Sequence, residues 1–350
     1  RFTIIFVLFL APTISLKITD FRVANATEPS VFSQALPGYV YRFPEDFYSH
    51  DDFRIEWWYY TGNLEEVATS RPFGYQLTFF RVALDTISGN PNPSKWKVGH
   101  IYFAHMTVTD IAGEKFYYFE RINRKGIGNA GADSQRLMVW NEDWSLEGKD
   151  NEHLLEAVES GTGIKLQLAP EKKLVVHGQD GISKKGSEAG NASHYFSYTR
   201  MKTSGTVFVD GKSYKVFGTS WMDHEYSSNQ LNNELSGWDW FSLKLDDQTE
   251  LMLYQLRRKS GGIDSFSSGT FVSSDGISRH IKRDEFTVES SAQWRSKQSG
   301  ITYPAGWKLS LPGLGIKLSL SPDLNDQELY NLRSISASYW EGSVSVEGTI

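Results

Sequence analysis

The sequence predicts an all-β protein built from two similar halves. Three observations carry this. Short segments alternating apolar and polar residues recur along the chain, Asp-Gly pairs separate several of them, and no long amphipathic helical pattern appears. Aromatic residues make up 14% of the 350 residues, which suits strands wrapped around large internal surfaces. Such a pattern suggests antiparallel barrels or sandwiches. A chain of this length exceeds what one core usually serves, so two domains are expected.

The first element is an apolar run. Arg1 precedes Phe2 to Leu10, in which only Thr3 is polar, and Ala11-Pro12-Thr13-Ile14-Ser15 follows. A basic start, a short apolar core and small residues describe a secretory leader over residues 1–17. The other reading is a buried first strand. On the leader reading the protein is periplasmic or secreted. Asn25-Ala26-Thr27 and Asn191-Ala192-Ser193 match the glycosylation sequon, a short and common motif.

Strands follow. Phe73 to Arg81 alternates, with Tyr75, Leu77 and Phe79 on one face, and Glu250 to Arg257 has the same character. Asp210-Gly211 separates Thr206–Val209 from Ser213–Phe217, and Asp275-Gly276 separates Gly269–Val272 from Ile277–Ile281. Asp-Gly between apolar strands favours a tight hairpin, whose two central residues need positive φ. Glu152 to Val158 reads as a helical turn stopped by Gly161-Thr-Gly163, and the polar stretch Gly178 to Ser193 as a mobile loop.

The halves resemble each other. Glu56-Trp57-Trp58-Tyr59-Tyr60 leads into Tyr75-Gln76-Leu77 and Arg81, and Gly237-Trp238-Asp239-Trp240-Phe241 leads into Tyr254-Gln255-Leu256-Arg257. Their offset of roughly 180 residues fits domains of lipocalin size. Ser227 to Ser236 is polar, so the boundary falls there: 18–227 for the first domain and 228–350 for the second. Arg81 and Arg257 occupy equivalent places, and each is expected to anchor its half through a carboxylate, Glu56 and Asp239 respectively.

Composition excludes several functions. The net charge is −6 and no block of Lys/Arg stands out, so no nucleic-acid partner is expected. Without cysteine there is no disulfide, thiolate metal site or cysteine nucleophile. No Gly-x-Ser-x-Gly elbow or phosphate-cradling Gly-Lys-Ser/Thr loop occurs, and Gly126-Ile-Gly-Asn-Ala-Gly131 lacks the strand–turn–helix context of a dinucleotide fingerprint.

Chemistry concentrates in Trp221-Met222-Asp223-His224-Glu225-Tyr226 and Gly237 to Phe241. Aromatics beside ionisable groups suit a mostly apolar pocket, where a carboxyl can be held protonated near neutral pH. In a strand, Trp221, Asp223 and Glu225 share one face while Met222, His224 and Tyr226 share the other. Asp-His-Glu therefore cannot converge on one metal, and no metal is expected. Asp223 is either a buried acid or a structural carboxylate. The residues offered for ligand contact are Trp58, Tyr60, His105, Phe196, His224, Trp238, Trp240 and Tyr254; packing is the alternative for the aromatics.

Glu56-Trp-Trp-Tyr-Tyr-Thr-Gly62, Tyr75 to Arg81, Ala104-His105-Met-Thr-Val-Thr-Asp110, Trp221 to Glu225 and Gly237 to Phe241 together resemble the AttH-like family. That family is related to the carotenoid 1,2-hydratases, or hydroxyneurosporene synthases. The resemblance runs from about Tyr41 to Glu347 and implies two tandem lipocalin-like antiparallel β-barrels. It also implies a further strand beyond Ile350, without which the second barrel would keep an open edge. In the hydratases an Asp protonates an alkene without a cofactor and water captures the carbocation. An aromatic precedes that Asp by two residues, and a His-x-Trp lies about thirty residues upstream. Those positions here are Asp223, Trp221, His194 and Phe196, with Phe for Trp and Trp for Tyr as departures. Two functions follow as expectations. One is an exported carrier of a lipid or isoprenoid-like ligand, working beside a membrane permease. The other is a cofactor-independent hydratase-like lyase with Asp223 as acid, supported by His194 and Trp221.

Overall fold

The computed structural model describes residues 4–10, 32–84, 98–125, 128–229, 234–335 and 337–350. Its first sheet has 13 strands. After β1 (Ile4–Leu10), which belongs to the second sheet, these are β2 (Ile55–Glu66), β3 (Pro72–Ala83), β4 (His100–Asp110), β5 (Lys115–Arg124), β6 (Ala130–Ala132), β7 (Met138–Asn141), β8 (Trp144–Lys149), β9 (Glu152–Glu159), β10 (Thr162–Pro170), β11 (Val175–Val176), β12 (Ser183–Lys184), β13 (Ala192–Val209) and β14 (Lys212–Ser227). They run in the order β5-β4-β3-β2-β14-β13-β10-β9-β8-β7-β6, with β11 and β12 on β13. Side chains bridge the edges. Arg121 on β5 donates to the carbonyl of Asn141 on β7 at 3.1 Å, and Asn123 donates to its side chain at 2.8 Å. The sheet is thus a nearly closed barrel.

The second sheet has 10 strands. Besides β1 it holds β15 (Leu235–Lys244), β16 (Glu250–Arg258), β17 (Ser268–Val272), β18 (Ser278–Ile281), β19 (Thr287–Arg295), β20 (Thr302–Leu311), β21 (Ile316–Pro322), β22 (Glu328–Leu332) and β23 (Ala337–Thr349). Every pairing is antiparallel, and β1 lies between β15 and β23. Residues 4–10, the apolar core of the segment read as a leader, therefore run here as a strand. The rest of that segment and Asn25-Ala26-Thr27 lie outside the described residues, as does part of Gly126–Gly131.

Local chemistry explains the elements. Asp210 and Gly211 both take positive φ (49° and 79°), so β13 and β14 join through the tight hairpin the Asp-Gly pair predicts. At the second pair only Gly276 does (φ 84°). Ser273 N–H bonds to Ile277 O, giving a longer loop between β17 and β18. Two expectations are corrected. Glu152–Val158 is strand, because His153, Leu155 and Ala157 point inward at period two and pack on the barrel. Gly178–Ser193 is not a free loop: β12 pairs with β13, and Ile182, Ser183 and Lys185 are buried.

Each barrel has its own filled core. Trp58, Tyr60, Tyr75, Leu77 and Trp144 pack in the first, and Phe241, Leu253, Trp307, Leu320 and Trp340 in the second. A third cluster lies between the barrels, where Tyr59, Tyr195 and Trp221 meet Trp240, Met252, Tyr254 and Leu256. Beside it, Glu250 on β16 accepts from Arg200 at 2.6 Å and Lys172 at 2.8 Å, clamping the second barrel to the first.

Both anchoring pairs form. Arg81 Nε lies 2.9 Å from Glu56, each with no exposed side-chain surface, and Arg257 Nε lies 3.4 Å from Asp239. Replacing Arg81 with Met should leave a buried carboxylate without its guanidinium and cost on the order of 3–5 kcal/mol in urea denaturation. An unchanged midpoint would contradict the anchoring role.

Candidate functional site at the barrel junction

Strand alternation decides where the β14 side chains go. Met222 and Tyr226 join the core of the first barrel, and His224 contacts Trp58 and Phe196 there. Trp221, Asp223 and Glu225 face the other way, with Trp221 in the junction cluster. Asp223 is buried and pairs directly with Ser197 on β13 and Tyr59 on β2.

Asp223 is held entirely by neutral donors. Tyr195 Oη donates to Oδ2 at 2.9 Å, Trp221 Nε1 donates to Oδ1 at 2.6 Å, and Ser197 Oγ donates to Oδ1. Burial pushes its pKa up to about 7, against the pull of these bonds. Trp240 Nε1 from β15 donates to Tyr195 Oη at 3.1 Å, so the second barrel braces the phenol. Behind Ser197 stands His177, with Nε2 2.7 Å from Ser197 Oγ and Nδ1 2.8 Å from Thr270 Oγ1 on β17. Burial drives its pKa down to about 3, so the ring is neutral. A hydrogen-bonded chain thus runs from the second barrel through Thr270, His177 and Ser197 to Asp223.

A second carboxyl, Glu341 on β23, shares the junction. Burial pushes its pKa up to about 8, and Tyr59 beside it lowers it only in part. Glu341 Oε1 and Tyr59 Oη are both fully buried; the phenol lies within hydrogen-bonding reach of the carboxyl, and Oε1 has no other partner among the described residues. The Tyr59 ring is 5.3 Å from that of Trp240, which is 6.3 Å from Trp221. Nearby, Lys185 sits 3.6 Å from Glu225 with its ammonium 3.8 Å from the centre of the Tyr254 ring.

The residues singled out from sequence separate into three places. Asp223, Trp221, Trp240 and Tyr254 meet at the junction, with Trp238 packed at its margin. Trp58, Tyr60, Phe196 and His224 fill the first barrel: Trp58 donates to Phe47 O at 3.1 Å, and Tyr60 bonds His153 at 2.7 Å. His105 bonds Tyr339 and Ser334 on the outer face of β4, where burial lowers its pKa to about 4. His194 and Phe196 do not support Asp223. They pair with Tyr226 and His224, so period two turns both away from it. His194 instead bonds Gly181 O at 3.1 Å and packs on Tyr39. Tyr195, Ser197, His177, Tyr59 and Glu341 escape sequence reasoning, although alternation already sets Tyr59 on the face opposite Trp58 and Tyr60.

His50, Glu56 and His224 place three ligand atoms within 4.8 Å of one another inside the first barrel. Their hydrogen bonding is that of a charge-balanced network. Glu56 already accepts from Arg81, His50 and His224, and bonds from Asp46 and Glu56 raise the His50 pKa to about 9 against the effect of burial. An added dication would meet two cations. The best-formed surface depressions, one of about 140 Å³ by Arg279, Asp284 and Leu311 and another by Asp133 and Trp140, are shallow and lie away from Asp223.

Comparison with known proteins fits this architecture. A family model described as AttH-like matches residues 34–350. The crystal structure of a Nitrosomonas europaea protein described as an AttH is 30% identical and superposes with a TM-score of 0.80, covering 91% of this chain and 99% of that one. Kievitone hydratase from Nectria haematococca shares the fold at a TM-score of 0.59 and 15% identity, covering 92% and 98%. Kievitone hydratase from Fusarium solani subsp. phaseoli is 24% identical over 131 residues, 37% of this chain; the match spans 36% of that protein's length.

Ser197→Ala should remove one donor from the Asp223 carboxylate and move its pKa above about 7. A carboxyl-carbon NMR titration checks this; a downward or absent shift would contradict the assignment.

Proposed function

The chain belongs to the AttH-like family, and on that premise we propose that it is a cofactor-independent hydratase acting on an isoprenoid-like alkene at the barrel junction. The observation that carries this reading is a buried carboxyl, Asp223, held by neutral donors beside aromatic faces. A carrier would tolerate the same carboxylate locked in a salt bridge. The likeness to kievitone hydratases supports a hydratase-type chemistry on this scaffold.

The chemistry needs little from the protein beyond placement. A carboxylic acid gives its proton to the less substituted alkene carbon, and the π pair becomes the new C–H bond. The tertiary carbocation left behind is stabilised by the faces of Trp221, Trp240 and Tyr59. Water then forms the C–O bond and loses a proton to a carboxylate. A weak acid suffices only because the cation is tertiary, which is why isoprenoid-type alkenes are the substrate class. Asp223 exchanges protons with the rest of the molecule through Ser197 and His177. On the leader reading this activity lies outside the cytoplasm.

Farnesol is a suitable probe. The wild-type protein in ¹⁸O-water should yield a tertiary alcohol carrying the label, and Asp223→Asn should lower its rate about 100-fold or more. A variant as fast as wild type would refute the role of Asp223. Farnesol bound but never hydrated by the wild-type protein would favour the carrier.

A further inference from the structure

We infer that the two junction carboxyls divide the reaction, with Glu341 giving the proton to the alkene and Asp223 taking the proton from water. This rests on the hydratase reading and reverses the role that the resemblance implies for Asp223.

Hydrogen bonding separates the two groups. Both oxygens of Asp223 are accepting: Oδ1 from Trp221 and Ser197, Oδ2 from Tyr195. An indole N–H can only donate, so Trp221 fixes Oδ1 as an acceptor. Such a set stabilises the carboxylate. Glu341 has sparser surroundings. It is 1% exposed, and against the three donors on Asp223 it has the Tyr59 phenol beside it, with no further partner for Oε1 among the described residues. The titratable groups facing it are Tyr59 from β2 and Tyr339 on its own strand, with Asp223 beyond Tyr59. No cation acts among these, so a bare Glu341 carboxylate would be buried without compensation and the acid form is kept. Burial pushes both carboxyls up toward neutrality, against three hydrogen bonds at Asp223 and one phenol at Glu341.

Tyr59 stands between them. It is the cross-strand partner of Asp223, and its phenol is influenced by Glu341 first and Asp223 second. Its hydroxyl is fully buried and lies within hydrogen-bonding reach of Glu341. In the cycle the Glu341 O–H bond breaks and its proton forms the C–H bond. Water attacks the cation, and its proton goes to Asp223. Tyr59 passes that proton back to Glu341, and no other reagent is consumed.

Linkage gives a reading that needs no substrate. An unfolded Glu ionises near its ordinary pKa of 4.5, whereas Glu341 in the fold ionises at about 8. Between these values the folded state holds the extra proton, so this group makes stability fall as pH rises.

Infrared difference spectroscopy near neutral pH, toward which burial pushes both groups, tests the assignment directly. The part of the protonated-carboxyl band that shifts with ¹³C-Glu labelling should vanish in Glu341→Gln and survive in Asp223→Asn. Glu341→Gln should also abolish the Glu341 part of the stability decline from pH 4.5 to 8 and lower farnesol hydration about 100-fold or more. A Glu-labelled band lost in Asp223→Asn, or one that survives Glu341→Gln, would overturn the inference. So would the absence of any such band in the wild-type protein. Should Glu341→Gln not fold, Glu341→Met takes its place in the band assignment. Failure of farnesol hydration with the band still on Glu341 would sink the hydratase reading while leaving the protonation assignment intact.

Discussion

The two-residue period of β14 is the constraint on which the rest depends. Its even members, Met222, His224 and Tyr226, complete the first barrel, and its odd members, Trp221, Asp223 and Glu225, build the surface offered to the second. One residue of slip would exchange the sets and place two carboxyls in an apolar core. Pairing with β2 and β13 fixes the register along nearly the whole strand, and the Asp210-Gly211 turn sets its start.

Two pairs of buried carboxyls contrast, and the difference separates architecture from chemistry. Glu56 and Glu250 are each gripped by cations: Arg81 with His50, and Arg200 with Lys172. Breaking such a pair leaves a buried charge, so these groups hold the barrels in shape and to each other. Asp223 is held by hydroxyl, phenol and indole, and Glu341 only by its nearness to a phenol. Burial without a counterion brings both into the range where a proton moves readily at neutral pH. Aromatic rings from both barrels enclose them, so the junction is apolar with a few placed polar atoms.

Sequence alone carried the parts that rest on local rules. The all-β class, the Asp210-Gly211 hairpin and the Arg81–Glu56 anchor follow from turn chemistry, alternation and the repeat. So does the placing of Asp223 on the face opposite Met222, His224 and Tyr226. The supporting cast did not follow. His194 sits three positions from the residue opposite Asp223, and only the register reveals that this odd offset turns it away. His177 and Glu341 come from segments remote in sequence, brought in by the packing of one barrel on the other. The helical reading of Glu152–Val158 failed because packing on the barrel outweighs weak helical preference. Gly178–Ser193 is polar for a structural reason: it carries Ser183 and Lys185 to the junction, where Tyr254 and Glu225 receive them.

The most direct test of this account is a crystal structure of the protein with farnesol bound. The account predicts the terminal alkene at the junction, against Tyr59 and Trp240 and between the carboxyls of Asp223 and Glu341. Farnesol inside either barrel, or on the outer surface with the junction still closed, would contradict it.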